Sequence, residues 1–146
     1  MNISFEVAHA LWTLHRLQSE LMPEIAADLL EQGRDTPTIR VLAGLVRPSA
    51  WEVEPLFSAV ISEMNLKPQN DHEAALIVAR HIAKETVNGG LSATECASRI
   101  ASLCSIVNYA VPFSEFMHLA DLWQCMPEAR AGIESDILKA ANDLVG

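Results

Sequence analysis

The sequence predicts an all-α fold, an irregular single-domain bundle of about seven to eight short antiparallel helices. Three observations predict it. Half of the residues are hydrophobic, yet Phe, Trp and Tyr make up only 5%. Ala and Leu supply much of the apolar content, which suits helices packed through small and aliphatic side chains. Apolar residues recur at helical spacing, and strand formers nowhere alternate. Gly, Pro and Ser/Thr fall where helix ends need them. At 146 residues with no linker-like stretch, positions 1–146 read as one domain.

The elements follow in order. Val7, Leu11 and Leu14 place a first helix over Ser4 to Leu17. Pro23 suits a first helical turn and Glu24 adds charge at that N-terminus. This second helix continues through Ile25, Leu29 and Leu30 to a terminal Gly33. Thr36 and Pro37 open a short third helix as N-cap and first residue, ending near Leu45 after Gly44. Ser49 and Glu52 have capping-box spacing for a fourth, which carries Val53, Phe57 and Val60 and stops before Pro68. Asn70 or Asp71 caps a fifth, running to Val87.

The stretch "VNGGLSATECASRI" reads as a corner between helices rather than a phosphate loop. Asn88, Gly89 and Gly90 supply left-handed conformations that end the fifth helix. Ser92 and Glu95 form a second capping box, and Leu91 is placed to staple onto Cys96. No strand precedes it and no glycine-rich nucleotide motif matches it. A sixth helix is predicted to Asn108, a seventh from Pro112 and Ser114, and an eighth from Pro127 with Ile133, Ile137, Ala141 and Leu144 as its apolar stripe.

Net charge is −9, which repels nucleic acid and anionic membranes and permits a basic protein partner. Residues 1–73 hold 11 acids and 5 bases, residues 74–146 hold 8 and 5, so the excess falls in the first half. No apolar run is long enough to span a bilayer. The start "MNISFEVAHALW" lacks a basic n-region and carries Glu6, unlike a secretory signal; the expected location is cytoplasmic. Cys96, Cys104 and Cys125 form no C-x-x-C pair and read as reduced thiols acting as small hydrophobes.

Few patterns offer chemistry. Glu6/His9 and Glu115/His118 repeat the Glu-x-x-His spacing that helical di-metal bundles use, with Glu54 or Glu85 as further carboxylates. Thirteen Glu and five His make two chance matches unsurprising, and the helices are short for such a bundle, so no metal or cofactor is expected. His81 and Glu85 pair one turn apart. His15 beside Arg16 is a poor ligand, and His72 falls in an exposed first turn. There is no G-x-S-x-G, and apolar surroundings raise a thiol's pKa, so the chain reads as non-enzymatic. "TPTIRVLAGLVRPSAWEVEPL" imitates a helix-turn-helix, but its second helix begins with Glu52 and Glu54, which phosphates repel. The better clue is an acidic stripe: Glu20, Glu24, Asp28 and Glu31 share one face, Asp35 follows, and no base interrupts them at i+4. Such a stripe is either a solvated outer face or a docking surface for a basic protein.

Two segments carry a resemblance. "DLLEQGRDTPTIRVLAGL", and "NGGLSATECASRI" with the later "FMHLADLW" and "IESDILKAANDLV", resemble small all-helical bacterial proteins that look like toxin-immunity proteins. Val41 and Ala93 stand where those proteins more commonly have Glu- or Pro-type residues. The resemblance implies a bacterial immunity protein that neutralises a cognate toxin by binding it, and it brings no catalytic residues. The acidic stripe would make the contact. The rival expectation is a self-associating structural or regulatory module, a homodimer sealed by Trp51 and Trp123.

Overall fold

All regular structure is helical, without a strand, among the described residues, 3–67 and 69–146, of a computed structural model. Pro68, expected to close the fourth helix, lies outside them, as do Met1 and Asn2. The helices are α1 (Phe5–Thr13), α2 (Met22–Glu31), α3 (Pro37–Ala43), α4 (Ala50–Glu63), α5 (Asp71–Val87), α6 (Ala93–Ala101), α7 (Phe113–Cys125) and α8 (Arg130–Val145). Single 3₁₀ turns, Ser19–Leu21 and Pro127–Ala129, lead into α2 and α8. No helix among the described residues is long and apolar enough to cross a membrane. Packing divides the chain into two compact units, Met1–Asn70 and Asp71–Gly146. The division falls in the loop before α5, a connection too short for composition to mark.

In the first unit, α2 and α3 pack as a hairpin with α4 against them. Each presents one apolar face inward: Met22, Ile25 and Leu29 from α2, Ile39 and Leu42 from α3, Val53, Phe57 and Val60 from α4. Burying such a side chain contributes about 1.5–3 kcal/mol relative to exposure. The Phe57 ring meets Phe5 of α1 at 6.3 Å and Trp12 at 5.2 Å between centroids. The far end of α4 is tied to the α2–α3 corner. Thr36 and Thr38 hydroxyls bond the Glu63 carboxylate and hold its pKa below the usual carboxylate value, and Arg34 reaches the Met64 sulfur at 4.0 Å.

In the second unit, α5 packs on α8 and α6 on α7. Much of this packing is between alanines: Ala74, Ala75, Ala79 and Ala83 of α5 and Ala140 and Ala141 of α8 are all buried. Side chains of one carbon let helix backbones approach closely. Larger groups fill the remainder, chiefly Phe113, Phe116, Ile100 and Ile137.

Each unit contains the same corner. Gly33 and Gly89 both adopt φ +85°, a region that suits glycine. Gly33 donates its N–H to the Leu30 carbonyl and Arg34 to Leu29; Gly89 donates to Thr86 and Gly90 to Glu85. Both are Schellman endings. Three residues after each glycine a hydroxyl caps the next helix: Thr36 Oγ1 accepts from the Ile39 N–H and Ser92 Oγ from the Glu95 N–H, each at 3.2 Å. The reading of this stretch as a corner between helices therefore holds, but Gly89 alone, not Asn88 or Gly90, is left-handed.

Several boundaries differ from the sequence reading. The first helix ends at Thr13, not Leu17, because His15 turns left-handed (φ 58°) and Arg16 donates to the Leu11 carbonyl in a Schellman closure. The sixth ends at Ala101, not Asn108. Residues 102–108 are Ser, Leu, Cys, Ser, Ile, Val and Asn, mostly weak helix formers, and they run as i→i+3 turns, for example from Ile106 to Leu103 and from Val107 to Cys104. Neither capping box closes as drawn. Ser49 Oγ donates to the Glu52 carboxylate at 2.9 Å instead of accepting from the backbone, and Glu95 pairs with Arg99 at 2.8 Å rather than reaching back to Ser92. Pro55 sits inside α4 and, lacking an N–H, leaves the Trp51 carbonyl without its helical donor.

Candidate functional site

The acidic stripe is built by α2 and its approaches. Met22, Ile25, Ala26 and Leu29 turn that helix's apolar face inward, so Glu24, Asp28 and Glu31 are left on the open side. Glu24 and Glu31 are exposed and Asp28 is half-buried. From Glu24 to Glu31 the row extends about 10 Å at 1.5 Å per residue. Glu20 is exposed too, but it stands on the 3₁₀ turn before α2 rather than on the helix itself. Asp35 departs from the expected unpaired row, since its carboxylate bonds Arg40 Nε at 2.9 Å. Arg40 is five residues on, beyond the i+4 spacing of one helical turn, and the turn into α3 brings it back. Glu20, Glu24, Asp28 and Glu31 have no ion-pair partner among the described residues. Like charges at i,i+4 and i,i+3 cost an isolated helix about 0.2–0.5 kcal/mol per pair, a cost that cations from outside would relieve.

The charge balance by unit corrects the balance by halves. Met1–Asn70 holds nine acids and five bases, net −4, and Asp71–Gly146 ten and five, net −5. Asp71 and Glu73, counted with the first half, belong to α5. What distinguishes the first unit is how its carboxylates are arranged on α2, not its total charge.

On α1, His9 is buried while Glu6 is exposed, so the two do not converge. Glu115 and His118 are both exposed on α7. No group of three or more His, Cys, Asp or Glu side chains has metal-holding geometry among the described residues. His81 Nε2 and Glu85 meet at 3.2 Å, the expected one-turn pair, and His72 is exposed as expected. Cys96 and Cys104 are buried and burial pushes both thiols up; for Cys96 a hydrogen bond with Thr86 opposes the rise. Cys104 donates to the Phe113 carbonyl at 3.1 Å. All three are free thiols, but Cys125 is exposed, so it does not act as a packed hydrophobe: it ends α7, where the helix leaves the core.

His9 carries a pH prediction. Burial lowers its pKa from the ordinary 6.5 by disfavouring the imidazolium. The unfolded chain then binds the proton more readily than the native chain once pH drops below about 6.5. Stability is therefore full above that pH, falls as pH drops toward the native pKa, and levels off below it. Urea denaturation at pH 7.5, 6.5, 5.5 and 4.5 should show this slope, and His9→Leu should flatten it relative to the parent.

Two exposed apolar side chains were not singled out together from sequence. Val46 and Trp51, at 85% and 78% exposure, flank the turn into α4. A hydrophobic residue at the start of an amphipathic helix gives no sign of which way it points. Trp123 differs: it is half-buried, with the Arg130 guanidinium 5.1 Å from its ring centroid. No family model, no curated protein and no solved structure matches this chain.

Proposed function

We propose that this chain is a non-enzymatic binding protein whose α2 face docks a basic protein, and that its role is that of an immunity protein neutralising a toxin. The observation that carries the docking surface is the row Glu24–Asp28–Glu31 with Glu20 before it. Glu20, Glu24 and Glu31 are exposed and Asp28 is half-buried, and none has an ion-pair partner among the described residues, whereas Asp35, Glu85 and Glu95 each have one. Carboxylates so placed speed encounter with a cationic surface and reject anionic ones. The immunity role comes from the resemblance of "DLLEQGRDTPTIRVLAGL" and the later segments, and a cytoplasmic location goes with it.

The test joins a survival assay to kinetics. Cells expressing the chain should survive co-expression of its cognate toxin domain, and die without it. Reversing Glu24 and Asp28 to Lys should slow association with that toxin about tenfold at low salt, and much less in 0.5 M salt. Reversing Glu134 and Asp136 on α8 shifts net charge equally and should have a smaller effect. Equal slowing by both pairs would remove α2 as the docking face, and death despite co-expression would remove the immunity role.

A second reading has one observation in its favour: Trp51 and Val46 are exposed enough to seal a homodimer. Trp123, already covered by Arg130, would not contribute. Sedimentation over a dilution series separates the readings, a monomer throughout favouring the first.

A further inference from the structure

Between α6, α7 and α8 the second unit has a hollow of about 180 Å³. It exists because small residues face each other there. Ala97 of α6 and Ala120 of α7 leave the space, and Ile137 of α8 closes its floor. Ala97 and Ile137 are fully buried, so the bottom is apolar. The rim is polar and lopsided: Thr94 and Ser98 offer hydroxyls, Gln124 an amide, and Asp121 the one charged group of the lining. Trp123 also lines it. No basic side chain lines it. The nearest guanidinium groups in sequence are occupied, Arg99 with Glu95 at 2.8 Å and Arg130 with the Trp123 carbonyl at 3.1 Å and over the Trp123 ring. Asp121 is exposed and has no ion pair among the described residues.

From this arrangement we infer that the hollow is a binding site for an alkylguanidinium or alkylammonium group. The alkyl stem lies on Ala97, Ala120 and Ile137, and the cation meets Asp121 with the Ser98 and Gln124 oxygens beside it. A carboxylate accepts two parallel N–H bonds from a planar guanidinium, so that head is preferred over ammonium. At about 30 Å³ per water molecule, the space holds roughly six waters, enough for a four-carbon stem and its head. The cation's source is either a free small amine or an Arg or Lys side chain of another protein. The site lies on α6, α7 and α8, so it stands whether or not α2 is a docking face.

The experiment is a ¹H–¹⁵N NMR titration of the full chain with n-butylguanidinium, its neutral isostere n-butylurea, and the peptide Gly-Arg-Gly. Butylguanidinium should shift amides of α6 and α7 around Ser98 and Asp121, with saturation in the millimolar range expected of so small a ligand. Asp121→Asn preserves shape and should weaken binding about tenfold or more, as loss of a charged hydrogen-bond partner does. Ala120→Leu fills the hollow, leaves Asp121 in place and should weaken it similarly. Binding of the peptide as well assigns the site to a side chain, and binding of butylguanidinium alone to a free amine. Four results overturn the inference: no saturable shift, equal shifts with butylurea, unchanged affinity in Asp121→Asn, or shifts centred on α2.

Discussion

Phe57→Ala should destabilise the first unit by about 3–5 kcal/mol, the range for deleting a buried aromatic ring. Phe57 is fully buried, and its ring is where α4 meets α1 through Phe5 and Trp12. Tilted aromatic pairs contribute about 0.5–1.5 kcal/mol each beyond their burial, so the expected loss sits toward the upper end. Small domains have only about 5–15 kcal/mol in total, so the variant should retain helix at low temperature and melt early. Urea denaturation followed by circular dichroism gives the size, and Trp12 fluorescence follows the same event locally. Phe57→Leu keeps an apolar group in place and should cost clearly less than the alanine. A loss below about 1 kcal/mol for the alanine, the scale of an average substitution, would show that Phe57 does not hold α4 to α1.

Ala79→Asp should be at least as damaging in the second unit. Ala79 is fully buried on α5, among the alanines through which that unit's helices meet. A carboxylate at this fully buried position would be held away from water. An uncompensated buried charge costs about 3–5 kcal/mol, and displaced helices add to it. The new acid would titrate far above its unfolded value of about 3.9. Protons then bind the native form more readily, so stability should rise as pH falls from neutrality toward 4, opposite in sign to the His9 effect. Thermal melts at pH 7 and pH 4.5, compared with the parent at each pH, check both size and sign. A parent-like melt at pH 7 would mean that α5 does not pack through this face.

The helical class was legible because it rests on composition and on periodicity repeated over the whole chain. Thr36, Pro37, Gly33 and Ser92 were legible too, since each acts on backbone groups within three or four residues. The losses share a cause. His15 and Asn108 turn left-handed although neither is glycine, and nothing local requires it of them. Ser49 and Glu95 had alternative partners, Glu52 and Arg99, that compete with the backbone. The acidic row was visible as a pattern on α2, but the Asp35–Arg40 pair depends on how the α2–α3 corner folds. The hollow between α6 and α7 was invisible in sequence, because Ala97 and Ala120 read as ordinary helix formers until the helices are placed face to face.

The placement of the three tryptophans makes the molecule its own optical gauge. Trp12 lies tilted against Phe57, Trp123 sits under Arg130 at the edge of the hollow, and Trp51 faces water. Emission from Trp12 tracks the interior of the first unit, and emission from Trp123 tracks the second. Trp51 supplies a constant red-shifted background until something covers it. Single-tryptophan versions of the chain would therefore separate melting of either unit from the arrival of a ligand, without any added label.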